Sequence, residues 1–235
     1  MTSRLRSVSF AAHDPARLAG FWAAVLGRNV VDDARGVLLP GSDTQVGLRF
    51  GPSGTAKVGP NPVHLHLTST SPTDQQDVVA AVLRLGAEHL DVGQLPEEGH
   101  VVLADPEGNE FCVIEPANAF LAGCGFLGEL ACDGTRQVGL FWAEALGWPL
   151  VWDENEETAV QSPQGGTKIA WGGPPLAPRT GTSRQRFELV CEGDLSAEAE
   201  RLIASGATGA GSIAAGVVAL ADPDGNTFDL VGRVA

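Results

Sequence analysis

The sequence predicts a mixed α+β protein made by duplicating a small unit, and three observations carry that expectation. Phe21-Trp22-Ala23 and Phe141-Trp142-Ala143 lie 120 residues apart, and each runs into a Leu-Gly pair, Leu26-Gly27 and Leu146-Gly147. Gly86-Ala87 and Gly206-Ala207 keep the same separation. Ala104-Asp105-Pro106-Glu107-Gly108-Asn109 returns as Ala221-Asp222-Pro223-Asp224-Gly225-Asn226, 117 residues later. Matches in one order with a slightly drifting offset mark a duplicated domain, and the period is too long for a solenoid unit. The boundary falls near Glu115-Pro116-Ala117-Asn118, which gives domains 1–117 and 118–235.

Each copy reads alike. Residues 8–12 alternate as a strand does. Asp14 and Asp133 stand where a helix N-cap belongs, and Leu18, Phe21, Trp22 and Val25 recur at helical spacing. Gly27 and Gly147 are placed to close that helix in the left-handed conformation. Short strands are expected at 37–39 and 46–50, and in the second copy at 158–161 and 168–171. Gly59-Pro60-Asn61-Pro62 and Gly173-Pro174-Pro175 read as crossovers rather than linkers. The strand–helix pattern then restarts inside each copy. Residues 63–67, 78–85, 101–103 and 111–114 are matched by 187–190, 195–204, 217–220 and 228–231. The Asp-Pro-(Glu/Asp)-Gly-Asn segments are β-turns, with Pro at the first corner and Gly or Asn accepting positive φ at the exit. The chain therefore holds four β-α-β-β-β units.

Composition narrows the function. The 235 residues include 29 acidic and 15 basic side chains, a formal charge of −14. That balance repels polyphosphate and anionic lipid, so neither a nucleic acid nor a membrane is an expected partner. No apolar run approaches the roughly 18 residues of a spanning helix. The basic start, Met1-Thr2-Ser3-Arg4-Leu5-Arg6, meets His13 and Asp14 too soon for a signal peptide, so a cytoplasmic protein is expected. Four cysteines without C-x-x-C spacing argue against a disulfide scaffold or a zinc knuckle.

Paired units with Phe-Trp-(x)3-Leu-Gly after the first helix start and Asp-Pro-(Asp/Glu)-Gly-Asn before the last strand resemble the vicinal oxygen chelate superfamily. That superfamily takes in glyoxalase I, bleomycin-resistance proteins and extradiol dioxygenases. The chain is most similar to its small glyoxalase-like domains, which often carry His-Leu-Asp-Leu where this chain has His64-Leu65-His66-Leu67. The resemblance implies two tandem domains, each a pair of units forming a curled, cup-shaped mixed sheet around a ligand. It also implies, where a metal is present, His and Glu ligands on the first and last strands of the units, with open positions for two substrate oxygens.

Carried over residue by residue, that ligand set is incomplete. The first-strand position falls near Ser7 in copy one and near Leu127 in copy two, with Glu129 replacing Leu127 only if the register shifts. The last-strand position gives Cys112 and Asp229. The first strand of the second unit gives His64, with His66 on the same face, and in copy two Arg186 and Glu188. The remaining strand gives Arg49 and Trp171. No metal cofactor is therefore expected; the alternative is one divalent ion, Fe, Mn, Ni or Zn, on His64, His66 and Cys112. Without a metal, His64, His66 and Asp229 are the candidate acid–base groups.

Plainer readings stand beside these. His64 and His66 also suit a half-exposed strand, Cys112 suits a small buried apolar site, and Asp229 a solvent-facing edge. Arg49 and Arg186 suit an anionic ligand or the chain's own acids. Trp22, Trp142 and Trp148 read as packing residues, whereas Trp152 and Trp171 are placed to stack on a planar ligand. Residues 153–157 read as a solvated hairpin turn. The expected function is metal-independent binding of a compact aromatic or cationic small molecule, by a monomer of two fused domains or a homodimer. A metal-dependent lyase, isomerase or dioxygenase is the alternative.

Overall fold

Four units follow one another along the chain. The computed structural model describes residues 3–95, 97–176, 184–209 and 213–232; Met1 and Thr2 of the basic start lie outside them. Unit one is β1 (Arg4–Ala12), α1 (Pro15–Leu26), β2 (Val31–Asp33), β3 (Gly36–Leu39) and β4 (Gly47–Pro52). Unit two is β5 (Val63–Leu67), α2 (Pro72–Arg84), β6 (Glu88–His89), β7 (Val101–Ala104) and β8 (Glu110–Val113). Unit three is β9 (Leu127–Cys132), α3 (Arg136–Leu146), β10 (Leu150–Glu154), β11 (Glu157–Gln161) and β12 (Lys168–Trp171). Unit four is β13 (Gln185–Cys191), α4 (Leu195–Ala204), β14 (Ile213–Ala214), β15 (Val217–Ala221) and β16 (Thr227–Gly232).

The sheets cut across the sequence repeat. Within each unit the first and last strands pair in parallel, which a crossover helix permits. Between units, β1 pairs antiparallel with β13, and β5 with β9. The first sheet thus runs β14-β15-β16-β13-β1-β4-β3-β2, and the second β10-β11-β12-β9-β5-β8-β7-β6. Each sheet takes one unit from each copy.

The two recurring motifs are one device seen from both ends. Trp22 Nε1 donates to Asp105 Oδ2 at 3.0 Å, and Trp142 Nε1 to Asp222 Oδ2 at 3.4 Å. The same aspartates accept from the backbone and side chain of Asn109 and Asn226, which shapes the turn. The turn's second acid caps the partner helix. Glu107 accepts the amides of His13 and Asp14, and Asp224 accepts the amide and hydroxyl of Thr135. Trp22 also packs edge-on against Phe111 of the second sheet, and Trp142 against Phe187 and Phe228 of the first. One apolar cluster joins both sheets and all four helices.

Two local expectations need correction. Asp14 does cap α1, accepting from Arg17 N at 3.0 Å, but Asp133 does not cap α3: Thr135 holds that place, and Asp224 supplies the acceptor. Helix α2 begins six residues before the expected 78, at Pro72 after the Ser71 cap, because a polar first turn hides from a search for apolar spacing. Gly27 and Gly147 close their helices at φ 63° and 65°. The acidic run turns at Asn155 and Glu156, both with positive φ.

Candidate functional site: two unequal cups

Alternation gives each sheet one face on the core and one outside it. In the first sheet Val8, Phe10, Leu48, Phe50, Phe187, Leu189, Phe228 and Leu230 are buried in the core. The opposite face carries Ser7, Arg49, Glu188 and Asp229, aligned by the pairs Ser7–Glu188 and Glu188–Asp229. In the second sheet the corresponding row is Lys168, Glu129, His66 and Cys112, from the pairs Lys168–Glu129, Glu129–His66 and His66–Cys112.

These rows draw each cup from both copies, a choice the repeat leaves open, and they fix one position. His64, His66 and Cys112 share a cup with Glu129, Trp152 and Trp171; Arg49 shares the other with Arg186, Glu188 and Asp229. Glu129, not Leu127, is the counterpart of Ser7. A bulge between Leu67 and His66 leaves Gly128 unpaired and turns Glu129 toward His66, just as a bulge after Leu5 turns Ser7 toward Glu188.

The first cup is filled by its own charges. Arg49 is bidentate on Asp33, at 2.6 and 2.9 Å, and its Nε stands 3.0 Å from Glu188 Oε2. Arg35 reaches from the β2–β3 hairpin to Glu188 at 2.6 Å and Asp229 at 2.9 Å. Arg6 adds a contact to Glu188 at 3.5 Å, and Arg186 one to Asp229 at 3.6 Å. Burial would lower the Arg49 pKa, but the Asp33 hydrogen bond and the Glu188 charge hold it above its usual value. Asp33 is held below the usual carboxylate range, mainly by its hydrogen bond to Arg49. Arginines stand among the carboxylates where the family's metal would sit, so this donor set does not fit a cation. Arg6, Asp33 and Arg35 carried no sequence signal, because each reaches the cup from a position outside the repeated strand pattern.

The second cup is part plug, part cavity. His66 Nδ1 lies 2.7 Å from Glu129 Oε2. Burial would lower the His66 pKa, but hydrogen bonds to Cys112 and Glu129 outweigh it and raise the pKa to about 9. Cys112 is 5% exposed and packs with Val102, Ile114, Leu121 and Cys124, so the segment joining the two copies covers it. Lys168 donates to the Phe120 carbonyl and lies 4.2 Å over the Phe120 ring, while Phe120 meets Trp152 edge-on. The histidine–carboxylate pair is spent on itself, and among the described residues no three His, Cys, Asp or Glu side chains group to hold a metal ion.

Beyond the plug opens a cavity of about 460 Å³, lined by His64, Phe120, Glu129, Asp133, Trp152 and Trp171 among others. Trp152 is 39% exposed at its mouth. Trp171 is only 2% exposed, because its neighbour Ala170 takes the cavity face and Trp171 belongs to the core. It forms a wall of the cavity without offering a free ring face. Burial lowers the His64 pKa despite the nearby Glu110 charge. The His64 ring is hydrogen-bonded to the Asn61 backbone, and its Nε2 is buried without a partner among the described residues. Glu129, Asp133 and Glu157 are the charged lining groups, and among the described residues no Lys or Arg lines the cavity.

Paired β-α-β-β-β units with helices on one face and polar cups on the other define a protein of the vicinal oxygen chelate fold. The sequence profile of the glyoxalase-like domain matches residues 7–114 and again 129–231, so the chain belongs to that family. Glyoxalase I from Zea mays superposes with a TM-score of 0.68 at 14% identity, covering 98% of this chain and 92% of that one. A Bacillus subtilis structure named as a candidate dioxygenase gives 0.61 at 15% identity, with coverage of 100% and 86%. At these identities the likeness is one of fold. No curated protein matches the chain significantly. Among the described residues no helix is long and apolar enough to cross a membrane.

Proposed function

We propose that the chain is a metal-independent small-molecule-binding member of the glyoxalase-like family, taking a compact planar cation in the second cup. One observation carries this reading: the 460 Å³ cavity pairs aromatic walls with an acidic lining that, among the described residues, holds no Lys or Arg. Benzamidinium has this chemistry, and benzamide and benzoate match its shape with neutral and negative charge. Calorimetric titration of the three tests the proposal. The expected order is benzamidinium, then benzamide, with benzoate excluded from this cavity. Trp152→Ala is expected to weaken benzamidinium about fivefold, near the 1 kcal/mol of a part-exposed cation–π contact. Equal affinity for all three ligands overturns the reading.

A second reading, a divalent-metal lyase, isomerase or dioxygenase, would hold its ion on His64, His66 and Cys112, the last two in one row with Glu129. It requires His66 to leave Glu129 and the Leu121 plug to leave Cys112. Elemental analysis after purification without chelator tests it, since that reading requires stoichiometric metal.

A further inference from the structure

We infer that Asp133 is the charge partner of the second cup's ligand, and that the ligand meets it with a planar fork of N–H groups, as an amidinium or guanidinium does. The inference rests on the reading of the second cup given above and names the anchor within it. Three carboxylates line the cavity, and two are accounted for. Glu129 lies 2.7 Å from His66 Nδ1, so its charge is met inside the protein. Glu157 is exposed at the start of β11 and faces Glu154 across the hairpin. Asp133 is left. Its amide donates to the Pro62 carbonyl, but its carboxylate makes no hydrogen bond or ion pair among the described residues. The side chain is open to solvent, so a ligand reaches it without displacing a partner.

The repeat explains why this carboxylate is idle. Its counterpart Asp14 directly precedes α1 and caps it through Arg17 N at 3.0 Å. Helix α3 starts three residues after Asp133, at Arg136, and takes Thr135 and Asp224 at its entrance. Asp133 instead borders the cavity and also the narrower hollow that runs toward Trp142 and Asp222, which sets it inside the cup. Partial burial raises its pKa, opposed by the His64 charge. Burial lowers the His64 pKa in turn, so that charge is largely absent at neutral pH. An anion whose surroundings disfavour its charge gains from an incoming cation. One idle carboxylate suits one positive charge, and its two coplanar oxygens match parallel N–H donors. A quaternary ammonium brings the charge and can stack on Trp152, but has no N–H to donate.

The test is calorimetric titration of the full chain with benzamidinium, benzamide and phenyltrimethylammonium, on wild type, Asp133→Asn and Glu157→Gln. Wild type is expected to favour benzamidinium over both other ligands. Asp133→Asn is expected to weaken benzamidinium more than about tenfold, as the loss of a hydrogen bond to a charged group does, and to erase its advantage over benzamide. Glu157→Gln is expected to stay within about twofold. In wild type the Asp133 carboxyl ¹³C resonance is expected to shift as benzamidinium saturates the site. If wild type itself shows no preference for benzamidinium over benzamide, the reading of the second cup falls and this assignment with it. If that preference holds, but phenyltrimethylammonium binds as tightly, Asp133→Asn keeps the preference, Glu157→Gln costs as much, or the Asp133 resonance stays still, the assignment alone is overturned.

Discussion

At His66, burial and hydrogen bonding pull in opposite directions, and hydrogen bonding wins. Its imidazole lies between Glu129 and Cys112 and holds its proton up to about pH 9, against about 6.5 in an unfolded chain. A folded pKa above the unfolded one makes protonation stabilising. The contribution is complete below about pH 6.5 and disappears as the pH rises to 9. Urea unfolding is expected to show wild-type stability falling by up to about 3 kcal/mol across that window, while Glu129→Gln flattens the decline. A flat wild-type profile would remove the charged pair from the account. Single residues also mark how far the sequence could be read. Trp22 and Asp105 were legible because each recurs at a fixed place, and the bond between them explains why both do. Phe120 and Leu121 were not, since a plug is defined by what it covers and not by any local pattern.

At the scale of elements, one unpaired glycine shapes the strand that carries Glu129 into the second cup. Counting back from the Phe-Trp pair reaches Leu127, because Ser7 stands 14 residues before Phe21, whereas Glu129 stands only 12 before Phe141. The connection to the helix is shorter in the second copy, and the unpaired Gly128 turns Leu127 into the core while Glu129 faces His66. A Cβ at Gly128 would lie 2.6 Å from Thr68 Cγ2 and 3.4 Å from Leu121 Cδ1, squeezed between β5's end and the plug. Gly128→Ala is therefore expected to cost about 1–3 kcal/mol in thermal or chemical unfolding and to weaken benzamidinium binding through the displaced Glu129 and Phe120. Unchanged stability would show that the bulge has more room than the contacts allow. Helix ends followed the same logic. The caps carried by Asp14, Gly27 and Gly147 were readable locally, but the cap on α3 comes from Asp224, 89 residues away in sequence.

Across the whole molecule, duplication supplied four similar units, and the fold then paired them across the repeat. That exchange left no trace in the sequence, because either pairing buries the same alternating faces. It separates the chelating positions by charge. Arginines and carboxylates close the first cup, while the second keeps an aromatic, acidic hollow beside a histidine–carboxylate pair. The account's central claim is that this hollow binds its ligand without a metal ion. The most direct measurement is the dissociation constant of benzamidinium on chelator-treated protein, repeated after adding Mn, Fe, Ni or Zn. An unchanged constant is the predicted result; binding that appears only when an ion is added would contradict it.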